Sequence, residues 1–494
     1  MTNSSRLVVF TFCFSVLFSA CSNDDLSGPK FGNGLHNGWA DQTSVVLWTR
    51  LTKNAELNRE GQKFINISAD EAEILDNSSD SVKIYKAQIP ENFTLEQMEG
   101  ACPGMEGEVM LKYYAFRNEK NATVVSWMPV DAKKNFTVQW KLENLVPGKQ
   151  YIVKLYARNA GSTAITDSLT GLFLTPPAVE VQQETDFCIV TCHDYPRRDD
   201  SISGHKIYKV MAAMNPDFFV HTGDVEYYDK ADPYALTEEL MRFKWDRLFA
   251  LPYQRDFYNR FTTYFMKDDH DVLCNDSYRG MTYGTVSFER GLEIFDKEQF
   301  PSNDLPYKTI RWGKDLQICL MEGRNYRSNN EMPDRPEKTI WGKEQKEWLF
   351  KTVTESDAAF KLIISPTPIL GPDRTKKGDN HANSAFKTEG DEIRAFFNRF
   401  DNVFMCNGDR HWQYVTHYKG TNLWEFSTGA GSDSHAGGWP SEDMKPEHRF
   451  LRVKGGFLKG SVFLENEKPC LKFEHFDVDG NLVHSEKLFS QNNN

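Results

Sequence analysis

Long Lys/Arg runs are missing from this 494-residue chain, and its N-terminal apolar run, Leu7–Ala20, is too short for a confident membrane span. Lys and Arg total 58 against 70 Asp and Glu, a net charge of −12. That balance argues against gripping a nucleic-acid backbone, but it leaves small anionic substrates open, because local cations override a global sign. Cysteine is sparse, with nine in all. Setting aside Cys13 and Cys21 leaves an odd, scattered set, Cys102, Cys188, Cys192, Cys274, Cys319, Cys406 and Cys470. These form neither a disulfide framework nor a thiolate cluster for structural zinc. No internal repeat or low-complexity tract is present. Hydrophobic residues at 39% and aromatics at 13% suffice to bury a core and exclude wholesale disorder. The length predicts two domains.

The first residues are not fold. Arg6 and the apolar run after it have the form of a signal peptide, ending in Phe18-Ser19-Ala20-Cys21 before the polar Ser22-Asn23-Asp24-Asp25. Small residues ahead of that Cys resemble a bacterial lipobox, which implies a lipid anchor on Cys21 and an exported lipoprotein, periplasmic or on the outer-membrane surface. An ordinary cleaved signal with an incidental Cys is the alternative.

From Phe31 to Thr175 the pattern is all-β. Thr43–Arg50, Phe136–Leu142 and Gln150–Ala157 are strand-like, Pro147-Gly148 turns the chain, and Gly171–Thr175 gives a last strand before Pro176-Pro177. The stretch Leu145–Tyr151 resembles the loop and corner tyrosine of a fibronectin-type sandwich. Asn54–Ala122 reads as polar, irregular inserted loops. Beyond the prolines, apolar runs alternate with helical stretches. The strand runs are Phe187–Thr191, Phe218–His221, Thr263–Met266, Leu316–Met321, Lys361–Ser365 and Val403–Cys406. The helical ones are Ile207–Asn215, Glu238–Phe249, Glu344–Val353 and Glu392–Phe400. Unbroken apolar strands between helices predict a sheet buried on both faces. Gly456–Glu465 and Leu471–Asp477 add late strands. The organisation expected is a signal peptide over 1–20, a lipidated tether over 21–30, a β-sandwich over 31–177 and an α/β layered domain with buried sheets over 178–494.

The chemistry lies in the residues just past each apolar run. The exits are Cys192-His193-Asp194; His221-Thr222-Gly223-Asp224 and on to Tyr227; Asp268-Asp269-His270-Asp271 with Asn275-Asp276; Glu322-Gly323-Arg324; Ser365-Pro366-Thr367 with Asn380-His381; and Asn407-Gly408-Asp409-Arg410-His411. Single Asp or Asn residues after strands are usually turns or caps. Six such exits at strand carboxyl ends converge on one polar crater. Carboxylate, amide and imidazole together suit Fe, Mn, Zn, Mg or Ca, and a shared carboxylate suits the two-metal clamp of phosphoryl chemistry.

Gly223-Asp224-x-x-Tyr227, Asp268-Asp269-His270-Asp271 with Asn275, and Gly408-Asp409-Arg410-His411-Trp412 resemble the motifs of PhoD-like alkaline phosphatases within the calcineurin-like metallophosphoesterases. The resemblance spans Phe187 to Trp412 and fits a preceding β-sandwich. It implies a ferric ion bound by Cys192, Asp224 and Tyr227. Asp224 would bridge to a divalent ion (calcium first, with Mn, Zn or Mg as alternatives) held with Asn275 and with Asp409 or His411 nearby. Arg410 or Arg324 would hold phosphate, and His270 or His381 would donate a proton. The substrate implied is a small phosphate monoester or diester. Three departures border the site: His193-Asp194 after the Cys, Lys267 before the Asp pair, and Glu322 ahead of Gly323-Arg324. A sulfate- or carboxylate-ester hydrolase and a non-catalytic surface-binding lipoprotein are the competing functions. Outside the site, His435 and His448 read as surface residues, Arg197-Arg198 with Asp199-Asp200 as a solvated self-neutralising loop, and Trp341 and Trp348 as core.

Overall fold

Residues 27–489 are described by the structure, a computed structural model; the signal and anchor segments, Cys21 included, lie outside them. The sandwich strands are β1 (Leu35–Gly38), β2 (Val45–Arg50), β3 (Glu108–Ala115), β4 (Thr123–Pro129), β5 (Thr137–Leu142), β6 (Gln150–Arg158) and β7 (Asp167–Leu174). They form antiparallel sheets β1-β2-β5 and β4-β3-β6-β7. Burial alternates along β6, so Tyr151, Val153, Leu155 and Ala157 face the core opposite Leu47 and Trp140. The corner expected at Tyr151 is made: its hydroxyl accepts the Val146 N–H at 2.9 Å.

Within Asn54–Ala122 the irregular-loop expectation is corrected. Helices Ala69–Asp76 and Ser81–Gln88 form there, as does β3. Ser68 and Glu71 make a capping box and the Asp80 carboxylate caps the second helix, so the start signals are local. Each helix buries only two residues, Ala72 and Leu75 in one, Ile84 and Gln88 in the other. The apolar periodicity is therefore faint.

Beyond the sandwich the strands are β8 (Thr185–Val190), β9 (Phe218–His221), β10 (Thr262–Phe265), the short ribbon β11 (Thr282–Tyr283) and β12 (Val286–Ser287), β13 (Lys308–Trp312), β14 (Leu316–Leu320), β15 (Phe360–Ser365), β16 (Val403–Asn407), β17 (Gln413–His417), β18 (Trp424–Thr428), β19 (His448–Arg452), β20 (Gly456–Glu465), β21 (Lys468–Asp477) and β22 (Leu482–Phe489). The buried sheets expected of this domain number two: a six-stranded sheet, β10-β9-β8-β20-β21-β22, and a seven-stranded one, β13-β14-β15-β16-β18-β17-β19. Alternate residues explain the apolar runs. Phe187, Ile189, Phe218 and Val220 meet Ile318, Leu362, Ile364 and Phe404 between the sheets. Their neighbours Cys188, Val190 and Phe219 pack outward with Tyr208, Met211 and Phe257 of the helices Lys206–Met214 and Pro252–Tyr258. On the far side Cys319, Ile363 and Met405 pack with Leu349 and Ile393 of Lys343–Glu355 and Lys387–Phe397. The order is helix, sheet, sheet, helix, with β8, β9 and β10 parallel in one sheet and β14, β15, β16 and β18 parallel in the other. Among the described residues no helix is long and apolar enough to cross a membrane.

Candidate metal centre

The carboxyl ends of both parallel strand sets open into the same crater, and an isolated parallel bridge from Thr191 to Ala430 ties them together. At three exits the chain turns through the left-handed region at a residue other than glycine: Cys192 (φ 51°), Asp224 (φ 56°) and Asp409 (φ 61°). Each such residue costs roughly 1–2 kcal/mol, and strain of this kind concentrates at functional sites. Glycines make the close approaches possible. A Cβ on Gly223 would lie 2.6 Å from the Asp268 nitrogen, and one on Gly408 would lie 2.2 Å from Thr222 Oγ1.

Three groups of metal-ligating atoms form here, each with its atoms within 4.8 Å of one another: Cys192, Asp224 and His411; Asp224, Asp269 and His270; and Asp224, Asp268 and Asp409. Asp224 belongs to all three. Its Oδ2 accepts from the Tyr227 hydroxyl at 3.1 Å and lies 3.5 Å from Cys192 Sγ. The Tyr227 hydroxyl is also 3.3 Å from His411 Nε2. Asp224 Oδ1 and Asp268 Oδ2 are buried without any hydrogen-bond partner, and an unpartnered buried carboxylate is accommodated either by a proton or by a cation. Burial, with neighbouring carboxylates adding to it, pushes Asp224 and Asp268 far above the usual carboxylate range, against the pull of His270 and Arg324. Burial likewise lifts Asp409 to about 6 and drives the Cys192 thiol and Tyr227 phenol upward. Burial favours the protonated forms of Asp224, Asp268, Cys192 and Tyr227, and bound cations would favour their anionic, ligating forms instead. The residues present fit a metal cluster.

Around the cluster, Asp271 fastens the loops. Its carboxylate accepts the backbone N–H groups of Asp224, Val225, Glu226 and Asp268 at 2.6, 2.8, 3.3 and 2.9 Å. His221 Nδ1 accepts from Gly223 N, so its Nε2 donates to His193 Nδ1 at 2.7 Å, while the His193 backbone N–H donates to the Asp224 carbonyl at 2.9 Å. Burial would lower His270, but Asp229, Asp269 and Asp224 outweigh it and carry the imidazole to about 10. Its Nδ1 pairs with Asp229 Oδ1 at 2.7 Å. Two departures noted in the sequence prove to be partners: Lys267 Nζ sits 3.7 Å from Glu322 and 3.1 Å from Asp296.

Several sequence expectations change. His381 is fully buried, with Nε2 on Glu389 at 3.0 Å and its ring edge-on to Trp341, so it packs inside the second sheet's helix layer rather than in the crater. Asn275 is exposed, and its amide nitrogen is on Asp276 at 2.8 Å. Arg324 and Arg410 are each only 1% exposed. Arg324 braces Asp268 and Asp269, and Arg410 braces Asp373, Asp379 and Asp409, so neither guanidinium is open to a substrate. His435 is buried rather than on the surface, its ring 4.2 Å from His411 and 5.0 Å from Tyr227. His448 is buried too, edge-on to Trp439. Arg197 is not simply solvated: it pairs with Asp194 at 3.4 Å and its guanidinium lies 5.9 Å from the Tyr227 ring centre. Trp341 is fully buried, as expected. The sequence reading overlooked Asp268 and Asp269 as members of the cluster, and Asp271 and Asp229 as supports. The Asp268-Asp269-His270-Asp271 run was the available signal.

The family model for PhoD-like phosphatase matches residues 295–480. The match includes Asp409 and His411 but begins after Cys192, Asp224 and Asp268–Asp271. No curated protein matches the chain. Among solved structures, one described as the structure of PhoD aligns over 95% of this chain and 92% of its own, at 16% identity and a TM-score of 0.68. Purple acid phosphatase PPD1 from yellow lupin (Lupinus luteus) seeds aligns over 93% of this chain and 74% of its own, at 12% identity and a TM-score of 0.60. Residues 295–480 thus match the PhoD-like phosphatase model, and nearly end to end the chain shares the fold of the solved PhoD and purple acid phosphatase structures.

Proposed function

We propose that the chain hydrolyses phosphate esters at a metal pair shared by Asp224. The observation that carries this reading is the membership of Asp224 in all three ligand groups. Cys192, Tyr227 and His411 would hold one ion, taken as ferric. Asp268, Asp269 and Asp409 would hold the other, taken as calcium, with Mn, Zn or Mg as alternatives. Asn275 would join the second ion only by turning inward from the rim. When bound, the metals supply Lewis acidity that activates water and draws charge from the phosphoryl group. His270, fixed through Nδ1 by Asp229, leaves Nε2 for the crater and donates a proton to the departing oxygen. Arg197, at the opening above Tyr227, steadies a phosphoryl oxygen. Turnover of a panel of chromogenic phosphate, sulfate and carboxylate esters, with and without chelator, tests this. Metal-dependent turnover confined to phosphates is expected. Preference for another ester, or none, would favour a different hydrolase or a binding lipoprotein.

The ferric assignment has a visible consequence. Phenolate and thiolate ligands on ferric iron give charge-transfer absorption, so protein purified without chelator or reductant is expected to be coloured. Tyr227→Phe should weaken or shift the band in a folded chain, because a Phe ring cannot replace an anionic ligand. Iron-free, colourless and fully active protein would remove iron from the account.

For localisation we propose a lipid anchor at Cys21. Cys21→Ala should move the protein from the membrane fraction to the soluble fraction with kcat unchanged, the anchor lying well before β1. Retention in the membrane fraction would rule it out.

A further inference from the structure

Beside the crater, the segment Asp373–Lys377 and the loop Trp439–Lys445 enclose an open cleft of about 640 Å³. Arg374, Lys376, Lys377 and Lys445 line it against two carboxylates, Asp373 and Asp443, in a chain whose net charge is −12. Both carboxylates are engaged: Asp373 by Arg410 and by the Asn380 amide at 2.8 Å, Asp443 by Lys445 at 2.6 Å. The positive charge is less fully matched. Lys376 is exposed and has no partner among the described residues. Arg374 Nε is buried without a hydrogen bond, 3.6 Å from Asp373 Oδ1.

The cleft is joined to the crater. Arg410 links the proposed ligand Asp409 to Asp373 and Asp379. Lys377 pairs with Asp379 at 3.3 Å, and the Gly437 N–H donates to the His411 carbonyl at 3.1 Å. Lys445 lies 5.9 Å from the ring centre of Trp439, the aromatic residue of the wall, and Arg374 lies 5.3 Å from that of the buried Trp412 behind it. The wall therefore presents cations rather than a bare stacking face.

We infer that this cleft is a second anion subsite, and that the substrate is a phosphate ester whose leaving group carries a further phosphate, held by Arg374 and Lys376. The inference rests on the phosphoesterase reading for the scissile group. Two charge-assisted contacts of this kind are worth about tenfold or more in affinity, and their worth falls with added salt.

The test uses non-hydrolysable alkane bisphosphonates of graded chain length and the matching monophosphonates, with Kd measured by calorimetry on the metal-loaded protein, alongside turnover of the corresponding phosphate esters. At the chain length that spans the two sites, the bisphosphonate is expected to bind about tenfold more tightly than the monophosphonate. The double variant Arg374→Gln, Lys376→Gln should erase that advantage, leaving monophosphonate affinity and monophosphate turnover within about twofold. Equal affinities at every length, or an advantage that survives the double substitution, would overturn the subsite. If no phosphate ester is turned over while the advantage and its loss persist, the phosphoesterase reading falls and the anion subsite stands.

Discussion

Asp224→Asn is expected to lower kcat/KM for a phosphate ester by at least about a thousandfold, some 4 kcal/mol of transition-state stabilisation, and to reduce bound metal. Asparagine keeps the shape and the hydrogen bond from Tyr227 but removes the charge that all three ligand groups share. Two cations close together need an anion between them, and the surrounding Asp268, Asp269 and Asp409 cannot move into a position fixed by left-handed backbone at residue 224. The backbone bond from Asp224 N to Asp271 is untouched by the substitution, so the denaturation midpoint of the metal-free protein should hold or rise, since the amide removes the cost of protonating a buried carboxylate on folding. Metal analysis and steady-state kinetics on the same preparation decide the matter. A variant with a full metal complement and near-normal turnover would place the chemistry elsewhere.

Most of the layered domain was legible because its strands are apolar on both faces. β9 and β20 match their expected bounds, and β8, β10, β14, β15 and β16 fall within a residue or two. The number of sheets was not legible, since a run buried against helices reads the same as one buried against a second sheet. That pairing is decided by long-range contacts such as Phe218 stacked on Trp312. Strands β17, β18 and β19 were missed because aromatic and polar residues interrupt their apolar pattern.

The site divides in the same way. Cys192, Asp224, Tyr227, Asp409 and His411 lie directly at or just after strand ends, so sequence order already places them at the rim. His435 does not. It arrives from a glycine-containing loop drawn in by the Gly431 N–H bond to the Cys192 carbonyl, with its own Nδ1 on the His193 carbonyl at 2.8 Å. Lys267 and Glu322 looked like separate departures from the PhoD-like pattern, yet they compensate each other in space. Arg324 and Arg410 carried the right charge for phosphate, but the sequence could not show that carboxylates already surround them.

Asp271→Ala is expected to cost the metal-loaded protein on the order of 4 kcal/mol of unfolding free energy, and most of its activity, although Asp271 belongs to none of the three ligand groups. The carboxylate is fully buried and is the acceptor for four backbone N–H groups from two separate loops. Alanine leaves those buried donors without an acceptor, and each unsatisfied group costs roughly 1–3 kcal/mol, less whatever a water entering the gap restores. Burial pushes Asp271 up to about 7 against the pull of these donors, so the comparison belongs at pH 8 with the metals bound, where the carboxylate is ionised. Asp271→Asn is the discriminating variant. Oδ1 serves Val225 and Glu226 while Oδ2 serves Asp224 and Asp268. An amide must therefore set its own N–H₂ against one pair of donors, and it should lose at least half of what alanine loses. Urea midpoints at constant slope measure the stability change, and metal content on the same samples measures its consequence for the site. If Asp271→Asn matches the parent in midpoint while losing metal, Asp271 acts on the ions directly. If both midpoint and metal are unchanged, the four-donor anchor is not what holds Asp224 in its strained turn.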